Sequence, residues 1–138
     1  MKPLIPDDLR AKLLANGAAL RETDHEPVVK LFDPTGAATW LITEMMPADP
    51  ERGIPEPDIL FGLADLGFGC PELGYVSLSE LEAIQGPLGL GIERDLHFVG
   101  RFPLSVYAEA ARRLGRITEA ERLLAQVAAA LARQGGRS

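Results

Sequence analysis

Short runs in which apolar and polar positions alternate fill the middle of this chain, and apolar positions recur at helical spacing towards its two ends. Near the start, Pro6 sits where a first helical residue often does. Leu9, Leu13 and Leu14 then share a stripe that predicts a helix over residues 7 to 16, with Gly17 as its stop. The wholly polar stretch 21 to 26 reads as a loop. Val28 to Phe32 and Ala38 to Glu44 are β-type segments joined by Asp33-Pro34-Thr35-Gly36, a type I turn signal, so a hairpin is expected. Trp40 and Ile42 share one face of it and Leu41 and Thr43 the other, so both faces are expected to be covered in part.

Residues 45 to 57 contain four prolines and form the longest irregular loop. Asp58 to Leu66 and Tyr75 to Leu78 read as two further strands, separated by a turn whose three glycines favour positive φ. Ser77 with Glu80 and Ser79 with Glu82 are overlapping capping boxes for a short helix that Gly86-Pro87 ends. The last strand is expected over Leu88 to Phe98. Leu88, Leu90, Ile92, Leu96 and Phe98 fall on one parity, and Gly89, Gly91, Glu93, Asp95 and His97 on the other, with Arg94 out of step. Ser105 is placed to cap a helix ending at Gly115. Thr118 with Glu121 opens another to about residue 133, with Leu123, Leu124, Val127 and Leu131 on one stripe. The expected class is α+β: an antiparallel or mixed sheet of about five strands, helices packed on one face, and a C-terminal helical hairpin.

A length of 138 residues suits a single domain over 1–138, and one cysteine excludes an internal disulfide framework. No apolar stretch approaches the roughly 18 residues of a membrane span, so the expectation is a cytoplasmic protein with no membrane contact. The net charge of -6 is unevenly spread. Residues 27 to 98 carry three Lys/Arg against twelve Asp/Glu, whereas residues 99 to 138 carry seven against three. An acidic middle suits a basic protein partner or simple solubility, and the basic tail matches the protein's own sheet or a second copy's, which makes a homodimer an expectation too.

The candidate chemistry lies in the carboxylates of that middle region: Glu44 at a strand end, Asp49 and Asp58 on the Pro-rich loop, Asp65 at the next strand end, Glu72 in the Gly turn, and Glu93 and Asp95 two apart on the last strand. Converging carboxylates bind Mg²⁺ or Ca²⁺ or divide into acid and base for hydrolysis. No EF-hand loop or fixed carboxylate-histidine spacing accompanies them, so no metal and no cofactor is expected. His25, His97 and Cys70 are too few for a zinc site without carboxylates. Cys70 has no basic neighbour in sequence to activate it. Serines 77, 79 and 105 are explained by capping, and the glycines at 86, 89 and 91 enter a strand, the reverse of a phosphate loop. The arginines of the tail lack lysines and interleaved aromatics, so direct nucleic-acid binding is not expected.

The strings Pro27 to Phe32, Ala38 to Glu44, Asp58 to Gly67, Pro71 to Leu78 and Gly86 to Asp95 resemble an uncharacterised bacterial family, the domain of unknown function numbered 2958. The resemblance spans about residues 27 to 113 and leaves the 46–57 loop and the helix beyond 117 as extras. It implies small proteins that travel with mobile genetic elements in accessory roles, and it carries no active site. The function expected is a non-enzymatic, protein-binding accessory module with an acidic sheet face at Glu44, Asp58, Asp65, Glu72, Glu93 and Asp95. One use of such a face is imitation of nucleic-acid charge. The alternative is a carboxylate or divalent-metal hydrolase.

Overall fold

The computed structural model describes residues 3–18, 23–47, 49–53 and 58–135. The chain runs α1 (Asp7–Ala18), β1 (Val29–Phe32), β2 (Thr39–Met46), β3 (Ile59–Asp65), β4 (Glu72–Ser77), α2 (Leu78–Ala83), β5 (Glu93–Arg94), α3 (Leu104–Leu114) and α4 (Glu121–Gly135). The five strands form one sheet in the order β4-β3-β2-β1-β5, and every pairing is antiparallel. The protein is therefore α+β, as expected. The expected 45–57 loop lies partly outside the described residues, and the expected polar loop at 21–26 is described from residue 23.

Helices cover both faces of the sheet and not one. Leu13 of α1 and Leu78 and Leu81 of α2 pack with Val29, Leu31, Trp40, Ile42, Met45 and Leu60. On the opposite face, Val106, Tyr107, Ala110 and Ala111 of α3 and Leu124 and Val127 of α4 pack with Leu41 and Leu63. The parity of β2 carries both layers: Trp40 and Ile42 enter the first and Leu41 the second. A strand apolar on both parities needs two covers, because each exposed face would leave roughly 1.5–3 kcal/mol per large side chain unrecovered.

Gly17 does not stop α1. The helix runs on to Ala18, and a Cβ at Gly17 would stand 2.3 Å from the Met45 carbonyl oxygen, so the glycine lets helix and β2 touch backbone to backbone. Asn16 fixes the contact, donating from Nδ2 to the Thr43 carbonyl at 2.9 Å. The turn between β1 and β2 is as expected: Gly36 N donates to Asp33 O at 3.2 Å, and the Asp33 carboxylate accepts from Thr35 N at 2.9 Å. Between β3 and β4, Gly67 and Gly69 take φ of 89° and 83°. Gly74 lies flat in β4 opposite Gly62, so β4 begins at Glu72 and not at Tyr75.

The long last strand is the main correction. Only Glu93 and Arg94 join the sheet, opposite Phe32 and Leu31, while Gly91 makes an isolated bridge back to Gln85. Residues Pro87–Gly89 form a 3₁₀ turn with Leu88 at φ 65° and Gly89 at 73°, which leaves Leu88 94% exposed. The Asp95 carboxylate accepts from His97 N at 2.9 Å, a side-chain turn that competes with the strand ladder and ends it. The alternation of leucine with glycine came from turns.

Capping at the C-terminal helices also differs from expectation. α3 starts after Pro103. Ser105 is no cap itself: Asp24, 81 positions earlier, accepts from both its N and its Oγ. Gly115, at φ 75°, ends α3 as expected. Thr118 Oγ1 accepts from Ala120 N at 3.2 Å, while Glu121, the other half of the expected capping box, pairs with Arg101 at 2.7 Å. Ser77 caps α2 as its sequence indicates, with Oγ accepting from Glu80 N at 3.3 Å.

Candidate functional site

The six carboxylates of the expected acidic face are spread over the sheet. Glu72 lies on β4 and Glu93 on β5, at opposite edges with three strands between them, roughly 19 Å apart at sheet spacing. Asp58 pairs with Arg10 of α1. Asp65 is buried, and its carboxylate accepts from Gly67 N at 2.9 Å and Ile117 N at 3.1 Å, tying the β3–β4 turn to the connection between α3 and α4. Asp95 holds Lys30 at 3.6 Å and the turn at His97. Asp58, Asp65 and Asp95 are thus engaged in internal contacts. Among the described residues no three His, Cys, Asp or Glu side chains come together as metal ligands would.

Glu44 differs in its electrostatics. Partial burial pushes its carboxyl above the ordinary range, and the His25 side chain nearby works against that rise. His25 lines a cleft of about 310 Å³ between α1, the residues before β1 and those after β5, with Lys12, Asn16, Glu26, Val28 and Phe98. Lys12 and Glu26 bring opposite charges to its wall, so the cleft selects no single ligand charge.

The tail arginines do not lie on the sheet's carboxylates in the described contacts. Arg112 and Arg113 bind Glu109 of their own helix, with Nε to carboxylate distances of 2.9 and 3.2 Å, and hold that carboxyl below the ordinary range. The ion pair that joins the sheet to the helical hairpin has the reverse polarity, Lys30 of β1 to Glu119 at 2.6 Å.

The most distinctive surface is the β4 edge. Leu78 N donates to Asp58 O at 3.1 Å, one step beyond the Ile59↔Ser77 pair, which fixes the phase of the ladder. In an antiparallel pair the residues two apart share that phase, so Val76, Gly74 and Glu72 turn their backbone groups to β3. Leu73 and Tyr75 turn theirs outward, where no strand lies among the described residues. Their side chains are also uncovered, 50% and 68% exposed, and Tyr75 leans on Phe61 with ring centroids 5.0 Å apart. Phe68, 84% exposed in the preceding turn, and Leu114 at the end of α3 extend the apolar strip; a Cβ at Gly115 would be 3.3 Å from Gly69 O, so turn and helix end adjoin. Tyr75 is the cross-strand partner of Phe61. Only the strand order, which a single sequence does not print, makes it a surface residue.

No helix of the described residues is long and apolar enough to cross a membrane. No curated protein and no solved structure matches the chain. A family model does match, over residues 4–118, a longer span than the resembling strings: it takes in α1 and ends before α4. The chain belongs to the family described as Protein of unknown function (DUF2958).

Proposed function

We propose that the protein is a non-enzymatic binding module that takes an extended, basic segment of another protein along the free edge of β4. One observation carries the reading: Leu73 and Tyr75 present outward backbone donors and acceptors and uncovered apolar side chains on the same short strand. Strand addition uses those two features together, main-chain bonds for affinity and alternate side chains for specificity. The opposite parity of the edge carries Glu72, and the exposed Glu80 and Glu82 follow on α2, so a segment with apolar residues on one parity and lysines or arginines on the other fits both rows. The acidic partner-binding residues are then Glu72 and its α2 neighbours; Asp58, Asp65 and Asp95 serve the fold.

The test uses a ten-residue peptide alternating valine and lysine, followed by amide NMR. Shifts centred on Leu73, Tyr75 and Ser77, weakening as salt shortens the Debye length from ~10 Å at 0.1 M, support the reading. Shifts elsewhere, or equal binding by a valine-glutamate peptide, overturn it. The hydrolase reading keeps one favourable observation, the raised carboxyl of Glu44 beside His25. It requires an esterase or phosphatase activity that Glu44→Gln abolishes.

A further inference from the structure

We infer that in the isolated protein the β4 edge is occupied by the β4 edge of a second copy, which rests on β4 being a docking edge as proposed above. Two antiparallel strands that continue one sheet about a two-fold axis keep side chains of like parity opposite each other, so the axis passes through a residue and not between two. An axis at Gly74 sets Leu73 against Tyr75 of the second copy, and Tyr75 against its Leu73. Both residues carry outward backbone groups, so each of these two pairs exchanges two N–H···O bonds. The half-exposed leucine and the exposed tyrosine cover each other. The two Gly74 residues meet at the axis without obstruction, since a Cβ there would find nothing within 4 Å.

The neighbouring choice, an axis at Tyr75, would set Leu73 against Ser77, a buried residue already occupied in capping α2. Charge allows the Gly74 register. Glu72, the one charged residue of β4, faces Val76 of the second copy, and the two Glu72 side chains stand four residues apart along the strands, about 14 Å. That exceeds the Debye length of ~10 Å at 0.1 M. The sheet's other edge offers two charged residues, Glu93 and Arg94, so one copy has a single long apolar edge and the assembly closes as a pair.

Each copy carries a net charge of -6, so self-pairing strengthens as salt is added, whereas capture of a basic peptide weakens. Sedimentation equilibrium of the full chain over a salt series reads this directly. The expected result is twice the chain mass, with the dissociation constant falling as salt rises. Tyr75→Pro is expected to give the single-chain mass, because it removes an outward N–H and leaves the β3 ladder whole; Tyr75→Lys serves if the proline variant does not fold. Gly74→Cys in a Cys70→Ser background is expected to oxidise to a covalent dimer, since opposed residues of this phase lie about 4.5 Å apart at Cα. A monomer at every concentration whose β4 amides still respond to the valine-lysine peptide overturns self-pairing alone, and a monomer that ignores the peptide overturns both readings. A dimer unaffected by either Tyr75 variant puts the interface elsewhere. Cross-linking through Tyr75→Cys in place of Gly74→Cys rejects the Gly74 axis.

Discussion

β5 gives one edge of the sheet two residues, Glu93 and Arg94, while β4 gives the other edge six, of which Glu72 alone is charged. The β5 edge is managed in the ways edge strands commonly are: it is short, it carries charge, and it is pinned from the side. Arg94 Nε donates to the Leu4 carbonyl at 3.2 Å, and Lys30 bridges Asp95 to Glu119. Nothing comparable guards β4 among the described residues. An unguarded edge beside an apolar strip is an aggregation hazard unless it has an occupant, so the contrast between the edges is itself an argument for use.

Ways to break that contrast differ in size. Leu63→Ala, on β3 beside β4 and 1% exposed, is expected to lose about 2–5 kcal/mol in urea unfolding through lost burial and the cavity left behind. Leu73→Ala, directly opposite on the outer strand, should cost under about 1 kcal/mol, since half its surface is already wet. Equal losses would show that β4 is part of the core and not a surface. Asp65→Ala removes the acceptor of two backbone N–H groups and should cost about 1–3 kcal/mol, with faster amide exchange at both Gly67 and Ile117.

At the guarded edge, Arg94→Ala should cost about 1 kcal/mol for one lost bond and should speed exchange at Asp95 N, which donates to Lys30 O, without touching β4. The smallest effect concerns pH. Glu44 holds its proton more firmly folded than unfolded, so stability falls as pH rises from its ordinary value of 4.5 through the raised one, and the deficit persists at neutral pH. Glu44→Gln should therefore melt slightly higher at neutral pH and show a flatter melting profile above the ordinary value. An unchanged profile would remove the burial argument.

Strands with apolar residues on two parities, the Asp33–Gly36 turn and the Ser77 cap were legible because each is written within a few residues. β2 even announced two covering layers through Trp40 and Leu41. A contact that spans the chain has no such local signature. Asp24 capping α3 and Asp65 holding Ile117 join positions 81 and 52 apart, and no local pattern distinguishes those aspartates from solvated ones. The 88–98 segment failed for another reason: Pro87 and Gly89 form a turn whose leucine spacing imitates a strand, and exposure of Leu88 and Leu96 reveals it. The acidic residues were legible as composition only. Their spread from one edge of the sheet to the other follows from strand order, and so does the exposure of Tyr75.

The strand order also bears on how the chain acquires its shape. β1 to β4 pair in succession, each with its neighbour in sequence, but β5 reaches β1 only after a detour: Phe32 and Glu93 are 61 positions apart. Loop closure makes such a pairing slow relative to hairpins, so the four-strand meander is expected to form the folding nucleus and β5 to dock afterwards. In stopped-flow chevrons, Leu63→Ala should then slow refolding, whereas Arg94→Ala should leave refolding unchanged and speed unfolding. The open side of the meander would be complete, and able to pair, before the opposite side of the sheet is sealed.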